Sequence, residues 1–445
     1  MIEKKIEMIN KFSDDLFEEG VDAARKIWNL AEPPFQEHES VEILSELLQE
    51  HGFTIKYPFD EIPTAFKAVK GQGKPVIGFL GEYDALPDCG LEKGKYGHGC
   101  GHNLLGTGSA LAAIITAELL EQNQIEGTVV YWGCPAEEIL GGKVYMAREG
   151  AFTDLDACLG WHPGSSNQVN NAGGTALDSL VFEFSGKTAH GAYAHNGRSA
   201  LDAAILMDTA VNYLREHIPD NIRIHSVIQD GGNFPNVVPE FARSWYYVRG
   251  KDREQVDEIT RRVKLCAKGA SISTETEYKM DKVTAVYNLL PNDKLAENLL
   301  TNFKKVGVPQ PDKGKKELYK KQGIKPEFKN ELDTEIQTEP GKGSSDEANV
   351  SWITPYGRIN AACMPDEVPG HHRDATFCNK QLFAYKGMVN AGKVLAASAY
   401  DLFEQPELLQ EVIDEFKKKT QDFTYDPLIA EDQTIDSLVK LYKDN

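Results

Sequence analysis

Residues 75–80 read PVIGFL, residues 108–122 read GSALAAIITAELLEQ and residues 128–133 read TVVYWG. The two short apolar runs predict buried strands, and the longer run between them predicts a helix. A strand, a helix and a second strand in this order are typical of parallel strands joined by a crossover helix. DACLGW at 156–161 predicts one more strand. We therefore expect an α/β fold with a mostly parallel sheet and helices on both faces.

Two amphipathic runs, 14–30 and 39–51, predict helices before the first strand. After residue 177 the pattern changes, and it predicts strand, helix, strand, strand, helix and strand at 179–185, 199–217, 222–229, 238–249, 253–270 and 273–282. This βαββαβ order predicts a small antiparallel, ferredoxin-like sheet with two helices, inserted into the larger domain. The expected domains are residues 1–174 with 292–445, and residues 175–291.

The charge of the chain argues against two classes of partner. The chain has 445 residues and a formal net charge of -20, and no block rich in Lys and Arg offsets that charge locally. Such a field repels phosphate backbones and anionic bilayers. We expect neither nucleic acid nor a membrane as a partner.

The cellular compartment is inferred from the amino terminus and the cysteines. Residues 1–12 are charged at short intervals and lack the apolar stretch of a signal peptide or a membrane anchor. The seven cysteines are odd in number and lack the spacing of a disulfide framework, which favours free thiols or metal ligands. A cytoplasmic location is expected.

The strongest chemical signal is GHGCGHN at 97–103, in which Cys100 and His102 lie in a glycine-rich turn before a helix. Glycine lets the backbone bring a thiol and an imidazole onto one centre. By itself the pair also fits a buried thiol next to a helix-capping histidine.

Paired carboxylates and an imidazole follow the next two strands. Glu137 and Glu138 come just after the strand that ends at Gly133, where one could bind a metal while the other acts as a general base. A carboxylate pair stabilised by a helix dipole is the alternative. His162 ends the strand after that, a position that also suits a hydrogen-bonded structural histidine.

Two further polar clusters complete the pattern. Glu82 and Asp84 end the first strand, and His371 and His372 follow the apolar run 359–364. Open α/β sheets bind ligands at the carboxyl ends of their strands, so these clusters are expected to converge. Mixed Cys, His and Glu ligands suit zinc, and manganese also accepts imidazole and carboxylate.

These motifs resemble the amidohydrolase branch of the aminoacylase and carboxypeptidase-like family of dinuclear metallopeptidases, and the resemblance covers nearly the whole chain. It rests on GEYDALP at 81–87, HGCGHN at 98–103, PAEE at 135–138, HPG at 162–164, GKTAH at 186–190 and NVVP at 236–239. Within that branch the chain looks most like the p-aminobenzoyl-glutamate hydrolase group, particularly over 132–163 and 212–249.

The resemblance implies a site for two divalent metal ions, Zn or Mn. It makes Cys100, His102, Glu138, His162 and His371 the ligands, with Glu137 as the base that acts on water and Asp84 as the residue that orients a ligand. The wider family has His-x-Asp where this chain has Glu82-Tyr83-Asp84, which leaves the role of Glu82 open. His372 is the alternative to His371, and the spacing to the segment 384–388 favours His371.

The resemblance also makes the larger domain the catalytic, metal-binding one and the inserted domain a lid and dimer contact. In such a homodimer His190 enters the partner's site and stabilises the oxyanion; a polar residue on the lid surface is the alternative. The implied activity is hydrolysis of the amide bond of a small N-acyl or N-aroyl amino acid, of the p-aminobenzoyl-glutamate kind. A dipeptidase with the same two-metal site, and a catalytically silent, metal-stabilised regulatory subunit, are the rival hypotheses. The need for a second type of subunit stays open.

Overall fold

The computed structural model describes residues 2–311 and 315–443. The chain folds into two compact units. The first comprises Met1–Gly173, Leu290–Glu339 and Asn349–Tyr425, and the second Gly174–Leu289, Pro340–Ala348 and Asp426–Asn445. The domain ranges expected from the sequence differ from these units mainly at 340–348 and 426–445, and they stay a prediction.

The elements are numbered in chain order. The strands are β1 (Thr54–Lys56), β2 (Phe66–Gln72), β3 (Val76–Glu82), β4 (Gly127–Cys134), β5 (Ala157–Gly164), β6 (Gln168–Asn170), β7 (Ala176–Ser185), β8 (Arg223–Asp230), β9 (Phe241–Gly250), β10 (Glu277–Val286) and β11 (Tyr356–Ala362). The α-helices are α1 (Ile2–Asp15), α2 (Phe17–Leu30), α3 (His38–Glu50), α4 (His102–Asn123), α5 (Gly142–Arg148), α6 (Ala200–Leu214), α7 (Arg253–Thr274), α8 (Asp293–Val306), α9 (Lys316–Lys321), α10 (Glu347–Ser351), α11 (Arg373–Cys378), α12 (Leu382–Glu404), α13 (Pro406–Lys419) and α14 (Ile435–Lys443).

The first unit is built on a sheet in the order β1-β2-β4-β3-β5-β11-β6. Its central strands β4, β3, β5 and β11 run parallel, and the antiparallel pairs lie toward the two edges. β3 and β4 are buried at every position, as expected for parallel strands covered on both faces. The predicted α/β fold with a mostly parallel sheet is confirmed.

α4 and α12 pack against each other and against the central strands. α4 is long and apolar enough to cross a membrane, but 94% of its apolar window is buried inside the fold. Its composition is therefore that of a core helix, whose amino terminus begins at the turn that carries Cys100 and His102.

The second unit is built on an antiparallel sheet in the order β10-β7-β9-β8, with the predicted βαββαβ order of elements. One face of the sheet packs with α6 and α7 around a core that includes Phe182 and Tyr246. Side chains alternate along a strand, so the neighbours Trp245 and Tyr247 point to the other face. There the Tyr247 and Tyr442 hydroxyls lie 2.7 Å apart, and the rings of Trp245 and Tyr442 meet edge to face. α14 therefore packs on this second face.

Several predicted boundaries are wrong by a few residues or by a break. The strand predicted from 273 begins at Glu277, because α7 continues to Thr274. The single helix predicted over 14–30 is divided, since α1 ends at Asp15 and α2 begins at Phe17.

Candidate metal centre

The carboxyl ends of β3, β4 and β5 and the amino terminus of α4 meet at one edge of the first unit's sheet. β3 ends at Glu82, β4 is followed by the turn of Glu137 and Glu138, and β5 carries His162. Gly101 precedes α4 with a φ of +81°, and a Cβ there would lie 2.7 Å from the Pro163 Cγ. Glycine thus lets the turn of Cys100 and His102 pass against the end of β5.

A first group of candidate ligands consists of Cys100, His102 and His162. The ligand atoms of the three side chains lie within 4.8 Å of one another. The Cys100 Sγ lies 3.2 Å from the His162 Nε2. One thiol and two imidazoles at this separation are a donor set that suits zinc.

A second group consists of Cys100, Glu138 and His371, again within 4.8 Å. The His371 Nε2 lies 3.5 Å from the Glu138 Oε2. The backbone N–H of His371 donates to the Gly99 carbonyl at 3.2 Å, which ties its loop to the turn of Cys100. His372 instead accepts a hydrogen bond at Nδ1 from the Asp374 backbone N–H and caps α11. The structure therefore brings His371 to the group, not His372.

His102 is held by Asp84 and presents its other ring nitrogen to carboxylates. Its Nδ1 donates to the Asp84 Oδ1 at 2.8 Å, and the other Asp84 oxygen accepts from the Glu138 backbone N–H at 2.9 Å. The His102 Nε2 is buried without a hydrogen-bond partner among the described residues, with the Glu82 Oε2 at 3.3 Å and the Glu137 Oε2 at 3.9 Å. A buried ring nitrogen that faces carboxylates fits a metal ion.

Glu137 lies beside this nitrogen on a short, strained turn. The preceding Ala136 has a φ of +55°, and its backbone N–H donates to the Glu37 Oε1 at 2.9 Å. Glu37 is fully buried and also accepts from the Thr64 hydroxyl at 2.7 Å. Glu37 therefore fixes the turn, a role that the sequence did not reveal because its partners are distant along the chain.

The electrostatics of the cluster favour a bound cation. Burial raises the pKa of Glu138 to about 8, and the carboxylates of Asp84 and Glu82 add to this. Burial, with the nearby Arg358 guanidinium, lowers the pKa of His162 to about 4, which keeps its imidazole neutral and able to bind a metal. Burial opposes protonation of His102, but Asp84 outweighs it and holds the His102 pKa well above its ordinary value. The crowded carboxylates therefore require positive charge.

Lys143 is a second site residue that sequence analysis missed. It lies in the first turn of α5, its side chain is 0% exposed, and its Nζ lies 2.7 Å from the Glu82 Oε1. The only signal in the sequence is a lysine in an otherwise apolar helix just after the paired carboxylates.

His190 lies in the second unit, before a short 3-10 helix. Its side chain is exposed, and its Nδ1 accepts a hydrogen bond from the Ala192 backbone N–H at 3.1 Å. The other predicted site residues, Asp84, Cys100, His102, Glu137, Glu138, His162 and His371, all lie in the first unit.

Comparison with known proteins links this arrangement to hydrolases. Residues 176–274 match a family model described as a peptidase dimerisation domain. The chain is 36% identical to a p-aminobenzoyl-glutamate hydrolase chain of Escherichia coli (strain K12), over 94% of this chain and 96% of that protein. It is 29% identical to the Xaa-Arg dipeptidase of Homo sapiens, over 90% of this chain and 89% of that protein.

A solved structure shares the fold. The Bacillus subtilis YXEP protein, a dinuclear metal binding peptidase from the M20 family, aligns with a TM-score of 0.59 at 18% sequence identity. The alignment covers 88% of this chain and 99% of the Bacillus chain.

Proposed function

This chain belongs to the M20 peptidase family, and we propose that within the family it is a metal-dependent amidohydrolase acting on N-acyl or N-aroyl amino acids. The observation that carries the proposal is the pair of ligand groups that share Cys100, with Glu137 beside them. A purely structural metal site needs ligands but no base, whereas this one keeps an acidic side chain next to the ligands.

The proposed ligands are Cys100, His102, Glu138, His162 and His371, which would hold two divalent ions, zinc or manganese. Thiolate, imidazole and carboxylate donors all suit zinc, and the last two also suit manganese. Asp84 would orient His102 through the hydrogen bond to Nδ1, which leaves Nε2 free to bind.

When bound, the metal ions would lower the pKa of water and polarise the amide carbonyl. Glu137 would accept the proton of the attacking water and pass it to the leaving amine. The hydrogen bond from the Ala136 N–H to Glu37 supports this role, because it holds the turn that carries Glu137. The low pKa of His162 supports its role as a neutral ligand.

His190 is proposed to stabilise the oxyanion from the second unit of a partner subunit. Its exposed side chain and its place within the segment that matches a dimerisation domain support this assignment. The proposed assembly is a homodimer. We also propose a cytoplasmic location, which the seven free thiols support because a reducing compartment keeps cysteines unpaired.

The proposed substrate is p-aminobenzoyl-glutamate or a close analogue, because the Escherichia coli relative is named for its hydrolysis. A dipeptidase is the second candidate, favoured by the similarity to the human Xaa-Arg dipeptidase. A silent regulatory subunit, the third hypothesis, is disfavoured because Glu137 lies beside the ligands.

A panel of p-aminobenzoyl-glutamate, other N-acyl amino acids and Xaa-Arg dipeptides, assayed with purified protein of known metal content, tests the proposal. The Glu137→Gln variant is the control: it should keep its metal and lose on the order of 10²- to 10⁴-fold in kcat, because an amide cannot accept the proton. Hydrolysis of dipeptides alone would favour the second candidate. A metal-loaded wild type inactive on every substrate would contradict the enzyme assignment for this chain alone.

A further inference from the structure

A lysine is buried within the proposed metal centre. The Lys143 side chain is 0% exposed and the Glu82 side chain 6% exposed, and their charged atoms lie 2.7 Å apart. A buried ammonium is stable only when a partner compensates the lost hydration. Because Lys143 is fully enclosed, it is not available to bind substrate directly.

Glu82 is shared between this lysine and the metal centre. Its Oε1 faces the Lys143 Nζ, while its Oε2 lies 3.3 Å from the buried His102 Nε2. Glu82, His102 and Glu137 also form a third group whose ligand atoms lie within 4.8 Å of one another. The position of Glu82 thus allows it to compete for a cation bound at His102.

Such binding would conflict with catalysis. A catalytic zinc keeps three protein ligands and an open position for water or substrate, whereas a structural zinc is closed by four. Recruitment of Glu82 would fill that position next to Glu137, the proposed base. Some feature of the site must keep this carboxylate from acting as a full ligand.

We infer that Lys143 is a positioning residue that keeps Glu82 out of the ligand set by holding one of its oxygens in a buried ion pair. The pair is neutral as a whole, so Glu82 stays beside His102 without adding a full negative charge to the metal. This role accounts for Glu82 where the wider family has histidine. The inference rests on the proposed two-metal site.

The affinity of the metal-free protein for Mn²⁺ and, separately, Zn²⁺ tests the inference. Lys143→Met keeps the length of the side chain but removes its charge, so that Glu82 loses its lysine partner beside His102. We expect metal binding about ten-fold tighter or more, with a lower kcat, because a freed carboxylate becomes a ligand. Glu82→Gln should weaken metal binding, since it removes the carboxylate that compensates the buried lysine cation. The double variant should return to near the wild-type affinity.

Lys5→Met is the matched control. Lys5 is also a buried lysine in an ion pair, 7% exposed and 2.7 Å from the Asp401 Oδ1, and neither residue belongs to the candidate ligand groups. It should lower thermal stability without changing metal affinity. Tighter binding in Lys143→Met but not in Lys5→Met therefore separates positioning from a general effect of losing a buried charge.

Unchanged or weaker metal binding in folded Lys143→Met would overturn the inference, as would equal tightening in the presence and absence of Glu82. If Lys143→Met does not fold, Glu82→Gln is compared with the double variant, which must bind metal more tightly; equal affinities refute the role of Lys143. A wild type that binds neither metal would instead contradict the proposed function.

Discussion

Cys100 is the residue that belongs to both principal ligand groups, so its sulfur is the atom whose loss should affect both metals. Cys100→Ser should weaken metal binding by at least about ten-fold, because a hydroxyl is a much poorer ligand than a thiolate. Metal content after dialysis measures the effect. Cys158→Ser, a buried thiol outside the groups, is the control and should keep its metal. Full metal content in Cys100→Ser would remove this residue from the site.

His371 and His372 are adjacent but have different surroundings. His371→Ala should lose metal and activity, since its Nε2 faces Glu138. His372→Ala should keep both and lose about 1 kcal/mol of stability, because it removes the cap of α11. Metal analysis and thermal melting of the two variants distinguish these outcomes. Loss of metal in His372→Ala alone would show that the ligand lies one residue later.

The residues predicted from the sequence are those whose motifs are local. Cys100 and His102 stand two apart, and Glu137 and Glu138 are adjacent, so their spacing alone indicates shared chemistry. Lys143 pairs with Glu82, and Glu37 with Thr64, over long separations that only the folded chain closes. Neither of these partnerships produces a pattern in the sequence.

At the scale of elements, the start of α4 depends on Gly101. Gly101→Ala should destabilise the protein in two ways: a φ of +81° costs any other residue about 1 kcal/mol, and the new Cβ would lie 2.7 Å from Pro163. Gly150→Ala is the matched control, since its φ is +83° but no atom lies within 4 Å of the new Cβ. The difference between their melting temperatures isolates the contact.

Metal content gives the same comparison a functional readout. Gly101→Ala should also lower metal occupancy, because the turn that carries Cys100 and His102 must shift, whereas Gly150→Ala should not. Equal losses of stability, with full metal in both variants, would show that the close approach to Pro163 is unimportant.

Elements were predictable where the apolar pattern is regular. β4 was expected over 128–133 and extends over Gly127–Cys134. α1 was missed because its buried face includes Lys5, whose partner Asp401 lies far along the chain. The first strand residues of 273–282 proved helical, because Ile272 to Thr274 are β-branched or small yet still belong to the last turn of α7. Local propensity failed where long-range contacts or a helix end decide the structure.

At the scale of the whole molecule, the proposed exchange of His190 between subunits can be tested by mixing. His190→Ala should keep its metal and lose roughly 2.7–4 kcal/mol of transition-state stabilisation, as for other oxyanion donors. Mixed with inactive Glu137→Gln, it should regain activity, because a heterodimer has one site with both residues intact. At most half of the sites in such a dimer can work.

Mass spectrometry under native conditions should confirm that the mixture contains heterodimers before activity is compared. Heterodimers as inactive as the parent variants would place His190 in its own subunit's site or outside catalysis. Activity restored in the absence of subunit exchange would point to contamination by wild type.

The packing of α14 on the second face of the antiparallel sheet has a practical consequence for dissecting the protein. A fragment expressed as residues 175–291 would keep Trp245 and Tyr247 but lack Tyr442, and so would bring an aromatic surface into solvent. Such a fragment would be prone to aggregate, and its association state would say little about the native dimer. An isolated version suited to spectroscopy should instead join 174–289 to 426–443 through a short glycine-rich linker.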